Sequence, residues 1–240
     1  MQEKKWIHNL LWLSLFSIAM GFFESAVVVY LRKLYYPFGF EFPLAPMDNT
    51  IAITELFREL ATLIMLYTVS LIAGKTFKQR FAWFIFCFAV WDIFYYIFLY
   101  LLIGWPSSLL TWDILFLIPV TWTGPVIAPV LVSLTMIVTA LYIVWKDSKN
   151  KTFRLNALRW SFFISGSILI FLAFIWDYSA YILEYYSFRE LWNLSRDPAL
   201  FDISYNYIPM HFNWFLFIIG ELIIISGIIL PGIQKKKSVK

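Results

Sequence analysis

The stretch FAWFIFCFAVWDIFYYIFLYLLI, from Phe81 to Ile103, decides the fold class. Asp92 is its only charged residue, and as a helix the run is long enough to cross a hydrocarbon layer about 30 Å thick. A membrane-spanning strand would need only about ten residues and would alternate apolar with polar side chains. Because a backbone in lipid must satisfy its own hydrogen bonds, this continuous apolar run predicts a transmembrane helix.

The composition of the whole chain agrees with this prediction. Of its 240 residues, 61% are hydrophobic, 21% aromatic and only 14% charged, whereas a soluble domain carries about 25% charged residues. The first apolar run starts like a signal peptide, but it continues past Ala19 to Val29, which favours a retained anchor. We therefore expect one polytopic membrane domain over residues 1–240. Its predicted spans are about 6–31, 50–73, 81–103, 124–145, 160–183 and 209–230.

The segment 104–122 differs from the predicted spans. It is apolar and lacks Lys and Arg, but it contains Pro106, Asp113 and Pro119. Because a segment of 10–14 apolar residues is too short to cross the bilayer, the sequence predicts a re-entrant or interfacial helix over about 107–118. The predicted fold class is therefore an all-α integral membrane protein, a bundle of about six transmembrane helices plus this short helix.

Basic residues predict the orientation of the bundle. If the N-terminus is cytoplasmic, fourteen of the 19 Lys and Arg residues lie in cytoplasmic segments, four lie in outer loops, and Arg58 lies within a span. The outer four are Arg32, Lys33, Arg189 and Arg196. This split follows the positive-inside rule at every loop, so we expect a multi-pass protein of the cell inner membrane with both ends cytoplasmic.

Acidic residues show the opposite bias. Only Glu3 and Asp147 of the 15 acids fall on the cytoplasmic side, and the other thirteen lie in outer loops or within spans. Acids contribute little to the orientation of membrane proteins, so this excess needs another explanation. The simplest one is a polar site that opens outward.

Ionisable residues within the spans indicate where this site lies, since such residues usually face a cavity or a partner. Glu55, Arg58 and Glu59 share one helix face, and Arg58 can neutralise only one of the two acids within its own helix. Asp92 shares a face with Tyr95 and Tyr96, whose hydroxyls can donate to its carboxylate. We predict Glu55, Glu59 and Asp92 as catalytic carboxyls, with ion-paired or hydrogen-bonded helix contacts as the alternative.

Further polar positions extend the candidate site. A helix seam of Ser14, Ser17 and Gly21 turns Glu24 towards the bundle, although such small residues also serve close helix packing. The predicted binding residues are Glu24, Arg58, Tyr95, Tyr96, Asp177 and Glu221.

A carboxylate-rich site with one histidine suits a divalent cation. The predicted metal ligands are Glu55, Glu59, Asp92 and His211, and a divalent metal is the expected cofactor class. Stricter templates are absent from the sequence: it has no Glu-x-x-His pair, no His-Glu-x-x-His motif, no Gly-rich phosphate loop and only one cysteine, Cys87, which is expected to serve packing.

Three functions fit these features. The first is a membrane-embedded enzyme with an outward-facing acidic site that acts on a lipid or an apolar small molecule. The second is a proton- or cation-coupled transporter or channel, and the third is an accessory or scaffold subunit. The expected partners are the lipid bilayer and an apolar small molecule or lipid, with no nucleic acid. The inner halves of the predicted helices are almost wholly apolar, which favours a one-sided pocket over a through-route.

Overall fold

The computed structural model describes residues 2–118, 120–150, 153–186, 203 and 205–229. Five of its helices are long and apolar enough to cross a membrane, and a sixth apolar helix is shorter. The predicted all-α membrane bundle is therefore confirmed, with six as an approximate number of spans. The elements in chain order are α1 (Gln2–Tyr35), α2 (Asn49–Ala73), α3 (Phe77–Ile103), β1 (Trp112–Phe116), β2 (Trp122–Pro125), α4 (Ile127–Lys149), α5 (Ala157–Tyr185) and α6 (Trp214–Ile229).

Helix α3 is the centre of the bundle and packs against α1, α2 and α4. Helices α5 and α6 form a second pair, which contacts the rest mainly through α4 and β2. The core around α3 is apolar and aromatic, with Leu66, Trp83 and Leu99 almost fully buried. Cys87 is buried in the same cluster, which agrees with its predicted packing role.

Local capping residues set several helix ends. The Asp48 carboxylate accepts a hydrogen bond from the Thr50 backbone N–H at 2.8 Å, and the Asn156 side chain accepts one from Arg159 N–H at 3.0 Å. Such caps satisfy donors that the first helical turn leaves unpaired. Helix α3 ends at Gly104, whose left-handed backbone (φ +67°) favours glycine.

The short helix predicted over 107–118 is wrong. Residues Trp112–Phe116 form a strand that pairs antiparallel with Trp122–Pro125, with Asp113 opposite Gly124. Aromatic and β-branched residues such as Trp112 and Ile114 favour extended backbone. A short helix would leave the first N–H groups and the last C=O groups of its backbone unpaired. In the hairpin, β2 provides hydrogen-bond partners for the backbone of β1.

Helix α6 begins at Trp214, five residues after the predicted start at 209. The backbone N–H groups of Met210 and His211 donate instead to the Asp177 carboxylate, at 3.0 and 3.1 Å. The Asn213 side chain then accepts from Leu216 N–H at 3.1 Å, which suits a helix start. The predicted end of this helix at residue 230 lies outside the described residues.

The α2–α3 and α4–α5 linkers lie at the same end of the bundle, opposite the hairpin. Lys78 forms an ion pair with Asp147, and the Gln79 side-chain amide donates to the same carboxylate at 2.6 Å. The cytoplasmic orientation of this basic end remains a prediction. Of the basic residues on which it depends, Lys151, Arg189, Arg196 and the four lysines of the C-terminal tail lie outside the described residues.

Helices α5 and α6 meet at two glycines that face each other. A Cβ built at Gly220 would lie 2.8 Å from the Gly166 carbonyl oxygen, and a Cβ at Gly166 would lie 2.7 Å from the Gly220 carbonyl oxygen. Neither position has room for a side chain without moving a backbone. Small residues at such a crossing allow the close helix contact that drives association in lipid.

We predict that Gly220→Ala destabilises the protein by about 1–3 kcal/mol, because the added methyl group overpacks the α5–α6 contact. The measurement is thermal unfolding of the purified chain in detergent. Ser226→Ala, on an exposed position of the same helix, is the control and should change stability by less than about 0.5 kcal/mol. Equal stability of the two variants would contradict the close contact.

Candidate functional site

A cavity of about 290 Å³ lies at the hairpin end of the bundle. Its walls come from α1, α2, α3, β1 and the segment after α1. It brings together most of the predicted polar residues, including Tyr95 and Tyr96, and adds two charged residues that were not predicted. The charged residues that line it are Glu24, Arg32, Glu55, Arg58, Glu59, Asp92 and Asp113.

Close packing of α1 on α3 places Glu24 at this cavity. A Cβ at Gly21 would lie 2.9 Å from the Phe94 Cβ, so only glycine permits this approach without a shift. One turn later, the buried Ser25 hydroxyl donates to the Tyr95 carbonyl at 3.0 Å. Both the packing seam and the inward direction of Glu24 follow from these contacts.

Arg58 holds two of the acids. Its Nε donates to Glu55 Oε2 at 2.7 Å along the same helix, and its Nη1 forms an ion pair with Glu24 across the cavity. The predicted intrahelical pair is therefore Glu55–Arg58, with a second acid supplied by another helix. One arginine of α2 therefore pairs with one acid of α1 and one acid of its own helix.

Glu59 is the acid that Arg58 does not hold by a salt bridge. It is 7% exposed, and its two carboxylate oxygens lie 2.9 and 3.2 Å from the backbone nitrogen of Leu117, just after β1. The carboxylate therefore fastens the hairpin to α2. A backbone N–H that β1 leaves unpaired takes the place of a cation.

Asp92 and Tyr96 point to different partners. The Ser133 hydroxyl of α4 donates to Asp92 Oδ2 at 2.9 Å, whereas the Tyr96 hydroxyl donates to Asp113 Oδ2 at 3.2 Å. The predicted hydrogen bond from this tyrosine to Asp92 is therefore wrong. The prediction failed because the hairpin brings a second carboxylate, that of Asp113, within hydrogen-bond distance of the Tyr96 hydroxyl.

Arg32 and Asp113 form a buried salt bridge that sequence reasoning missed. Arg32 Nη2 lies 3.3 Å from Asp113 Oδ1, and the two residues are 8% and 2% exposed. The guanidinium carbon lies 3.6 Å from the ring centroid of Trp105 and 4.4 Å from that of Phe40. One sequence signal could have revealed the pair, since an acid in an apolar segment without Lys or Arg requires a cation from elsewhere.

Asp113 lies in the hairpin, outside the membrane-spanning helices. Burial raises the pKa of its carboxyl to about 6, although the Arg32 guanidinium and the hydrogen bonds from Ile114 N–H and Tyr96 lower it. A carboxyl with a pKa near neutrality can take up and release protons under working conditions. Asp113 is therefore a candidate acid–base group.

Other predicted site residues lie outside this cavity. Asp177 accepts hydrogen bonds from the Tyr207 hydroxyl at 2.8 Å and from the backbone N–H groups of Met210 and His211. Glu221 on α6 accepts from the Thr135 hydroxyl of α4 at 2.7 Å. These contacts fasten helices and connecting segments together, and the structure does not bring Asp177, His211 or Glu221 to the cavity.

The predicted metal ligands are not gathered at one point. Among the described residues, no three His, Cys, Asp or Glu side chains lie in an arrangement that could hold a metal ion. Glu55 pairs with Arg58, Glu59 with a backbone N–H, and Asp92 with Ser133. The cavity instead offers carboxyl groups from several elements, each with a separate partner.

We predict that Arg58→Gln destabilises the protein by about 2–3 kcal/mol, because it leaves Glu24 and Glu55 without their cation in a partly exposed position. The double variant Glu24→Gln/Arg58→Gln should recover part of this loss. Thermal unfolding in detergent measures both effects, with exposed Arg154→Gln as the control. An Arg58→Gln variant as stable as the control would show that the ion pairs contribute nothing to folding.

The chain was compared with protein families, curated proteins and solved structures. No family model matches it, and neither a curated protein nor a solved structure matches it significantly. The chemistry of the cavity is therefore the basis on which a function can be inferred.

Proposed function

We propose that this chain is a membrane-embedded enzyme that performs acid–base chemistry on a lipid or an apolar small molecule. The observation that supports it is the cavity, where carboxyl groups from α1, α2, α3 and β1 face one space with apolar walls. Ligand sites are typically concave and mostly apolar, with a few convergent polar groups. Convergence of acids from four separate elements exceeds what a single helix contact requires.

The carboxyl groups differ in their partners, and this difference suggests their roles. Glu55 is neutralised by Arg58, whereas neither Glu59 nor Asp92 makes a salt bridge within the described part of the chain. A carboxyl that is held only by neutral donors is suited to accept a proton from a substrate and to return it. We assign Glu59 and Asp92 to proton transfer and Glu55 to pairing with Arg58. Asp113 is a third candidate on a different ground, because burial raises the pKa of its carboxyl although Arg32 pairs with it.

A transport function has less support, because the cavity serves one end of the bundle. A second cavity, lined by Asn9, Lys78 and Asp147, lies at the opposite end. Along the helices between them, the core is closed by buried apolar residues such as Leu66 and Phe86. A polar path would have to cross this apolar layer, so a one-sided binding site fits the packing better.

The charge distribution suggests which way the cavity opens. The basic linkers lie at the end opposite the hairpin, and basic segments are retained in the cytoplasm. The proposed orientation in the cell inner membrane therefore places both chain ends inside and the cavity towards the outer surface. A substrate could then enter from the outer leaflet or from the outer aqueous phase.

We predict that Asp92→Asn and Glu59→Gln each lower turnover at least about a hundredfold, since general acid–base groups contribute about 10²–10⁴-fold. The measurement compares mass spectra of lipid and small-molecule extracts from cells that express the parent chain, each variant or no chain. The expected result is a product that accumulates with the parent and is strongly reduced in both variants.

Glu221→Gln is the matched control, because Glu221 is a carboxyl within a helix but outside the cavity. It should leave the product at the parent level, and thermal unfolding in detergent verifies that every variant is folded. Identical extracts from cells with and without the parent chain would overturn the enzyme proposal.

A further inference from the structure

Two side chains that line the cavity each carry a buried hydrogen-bond donor for which the described part of the chain offers no acceptor. The donors are Arg32 Nη1 and Trp91 Nε1, and the side chains that carry them line the cavity with only 8% and 7% of their residue surface exposed. Buried donors are nearly always paired in folded proteins, so each unpaired one requires an explanation. An acceptor on a bound ligand would provide that explanation for both.

Neighbouring side chains fix the position of the Arg32 guanidinium. The guanidinium carbon lies 3.6 Å from the ring centroid of Trp105 and 4.4 Å from that of Phe40. Asp113 Oδ1 lies 3.3 Å from Arg32 Nη2, the other terminal nitrogen. Because the guanidinium is planar and contacted from several sides, the direction of its Nη1–H groups is fixed before any ligand arrives. Such a fixed, charged donor is suited to an anionic oxygen of a carboxylate or phosphate.

The same cavity also favours a positive charge. Five carboxyl side chains line it against two arginines, among the residues that the structure describes. Aromatic side chains surround these acids, including Tyr35, Tyr36, Tyr95 and Tyr205. Carboxylates combined with aromatic faces are the usual surroundings of bound ammonium groups.

We propose that the cavity binds a zwitterionic head group, with its anionic oxygen at Arg32 and Trp91 and its ammonium group at the carboxyl groups. This inference rests on the proposed function and names the substrate class of the same site. Apolar side chains that line the cavity, such as Val28, Leu31 and Ile114, suit an attached hydrocarbon chain. The shared chemistry is an ammonium group joined to a phosphate or carboxylate, on a membrane lipid or as a free small molecule.

The binding experiment uses the purified full chain in detergent and measures ligand-induced shifts in thermal unfolding. The probes are phosphatidylethanolamine, phosphatidylglycerol, diacylglycerol and free phosphoethanolamine. A ligand that binds only the folded state raises the melting temperature with its concentration. We expect phosphatidylethanolamine to bind at least about tenfold tighter than phosphatidylglycerol, which lacks the ammonium group. Diacylglycerol, which lacks the whole head group, should not shift the melting temperature.

Variants test the two donors separately. Trp91→Phe removes one donor and keeps an aromatic ring, and it should weaken phosphatidylethanolamine binding by about tenfold. Trp83→Phe is the matched control, because Trp83 is a buried tryptophan of the same helix outside this cavity. Both variants lose packing, but only Trp91→Phe should lose the ligand-induced shift.

Arg32→Gln should weaken binding more than Trp91→Phe does, since its hydrogen bond to the ligand is charge-assisted. Exposed Arg154→Gln should bind as the parent does. If Arg32→Gln fails to fold because Asp113 loses its cation, the comparison between the two tryptophan variants still decides the matter.

Several results would overturn the inference: no shift with any probe, equal shifts with phosphatidylglycerol and phosphatidylethanolamine, or equal losses in Trp91→Phe and Trp83→Phe. A shift with free phosphoethanolamine alone would support the head-group chemistry and indicate a soluble ligand. Binding without any Asp92-dependent product would refute the enzyme and retain the head-group site. An Asp92-dependent product without binding of any probe would refute the head-group site and retain the enzyme.

Discussion

Neutralisation of buried charge is the constraint on which the arrangement of this bundle depends. Helices α1 and α2 each pack against α3 far more extensively than against one another, so a space remains between them at the hairpin end. Arg58 bridges that space by pairing with Glu24 on one side and Glu55 on the other. The ion pairs thereby hold two helices together across a cavity, where apolar packing would have closed it.

The hairpin completes the cavity because its backbone is extended. A helix over the same residues would have used most of its N–H groups internally, whereas the end of β1 leaves the Leu117 N–H for Glu59. The strand also directs Asp113 towards Arg32 and Tyr96. One change of secondary structure therefore supplies a partner for an acid of α2, a counterion for α1 and a fifth carboxyl group at the cavity.

Local patterns in the sequence predicted the features that depend on local geometry. Apolar runs predicted the helices, and helical spacing predicted that Arg58 pairs with Glu55 or Glu59. The Arg32–Asp113 pair joins residues 81 positions apart, and no helical periodicity relates them. The same limit explains why Asp177 and Glu221 were grouped with the site: their rotation around the bundle and the late start of α6 depend on tertiary contacts.

Hydrogen bonds within the chain identify some buried polar groups of this protein as structural junctions. Asp177 accepts hydrogen bonds from Tyr207 and from two backbone N–H groups, which is what a structural junction requires. Glu221 has an unpaired buried oxygen, Oε1, but a carboxyl can relieve this by taking up a proton. A guanidinium or indole N–H cannot change its protonation state at neutral pH, so it stays a donor that needs an acceptor. Within the described part of the chain nothing accepts from Arg32 Nη1 or Trp91 Nε1, so these two donors indicate a ligand more strongly than the acids do.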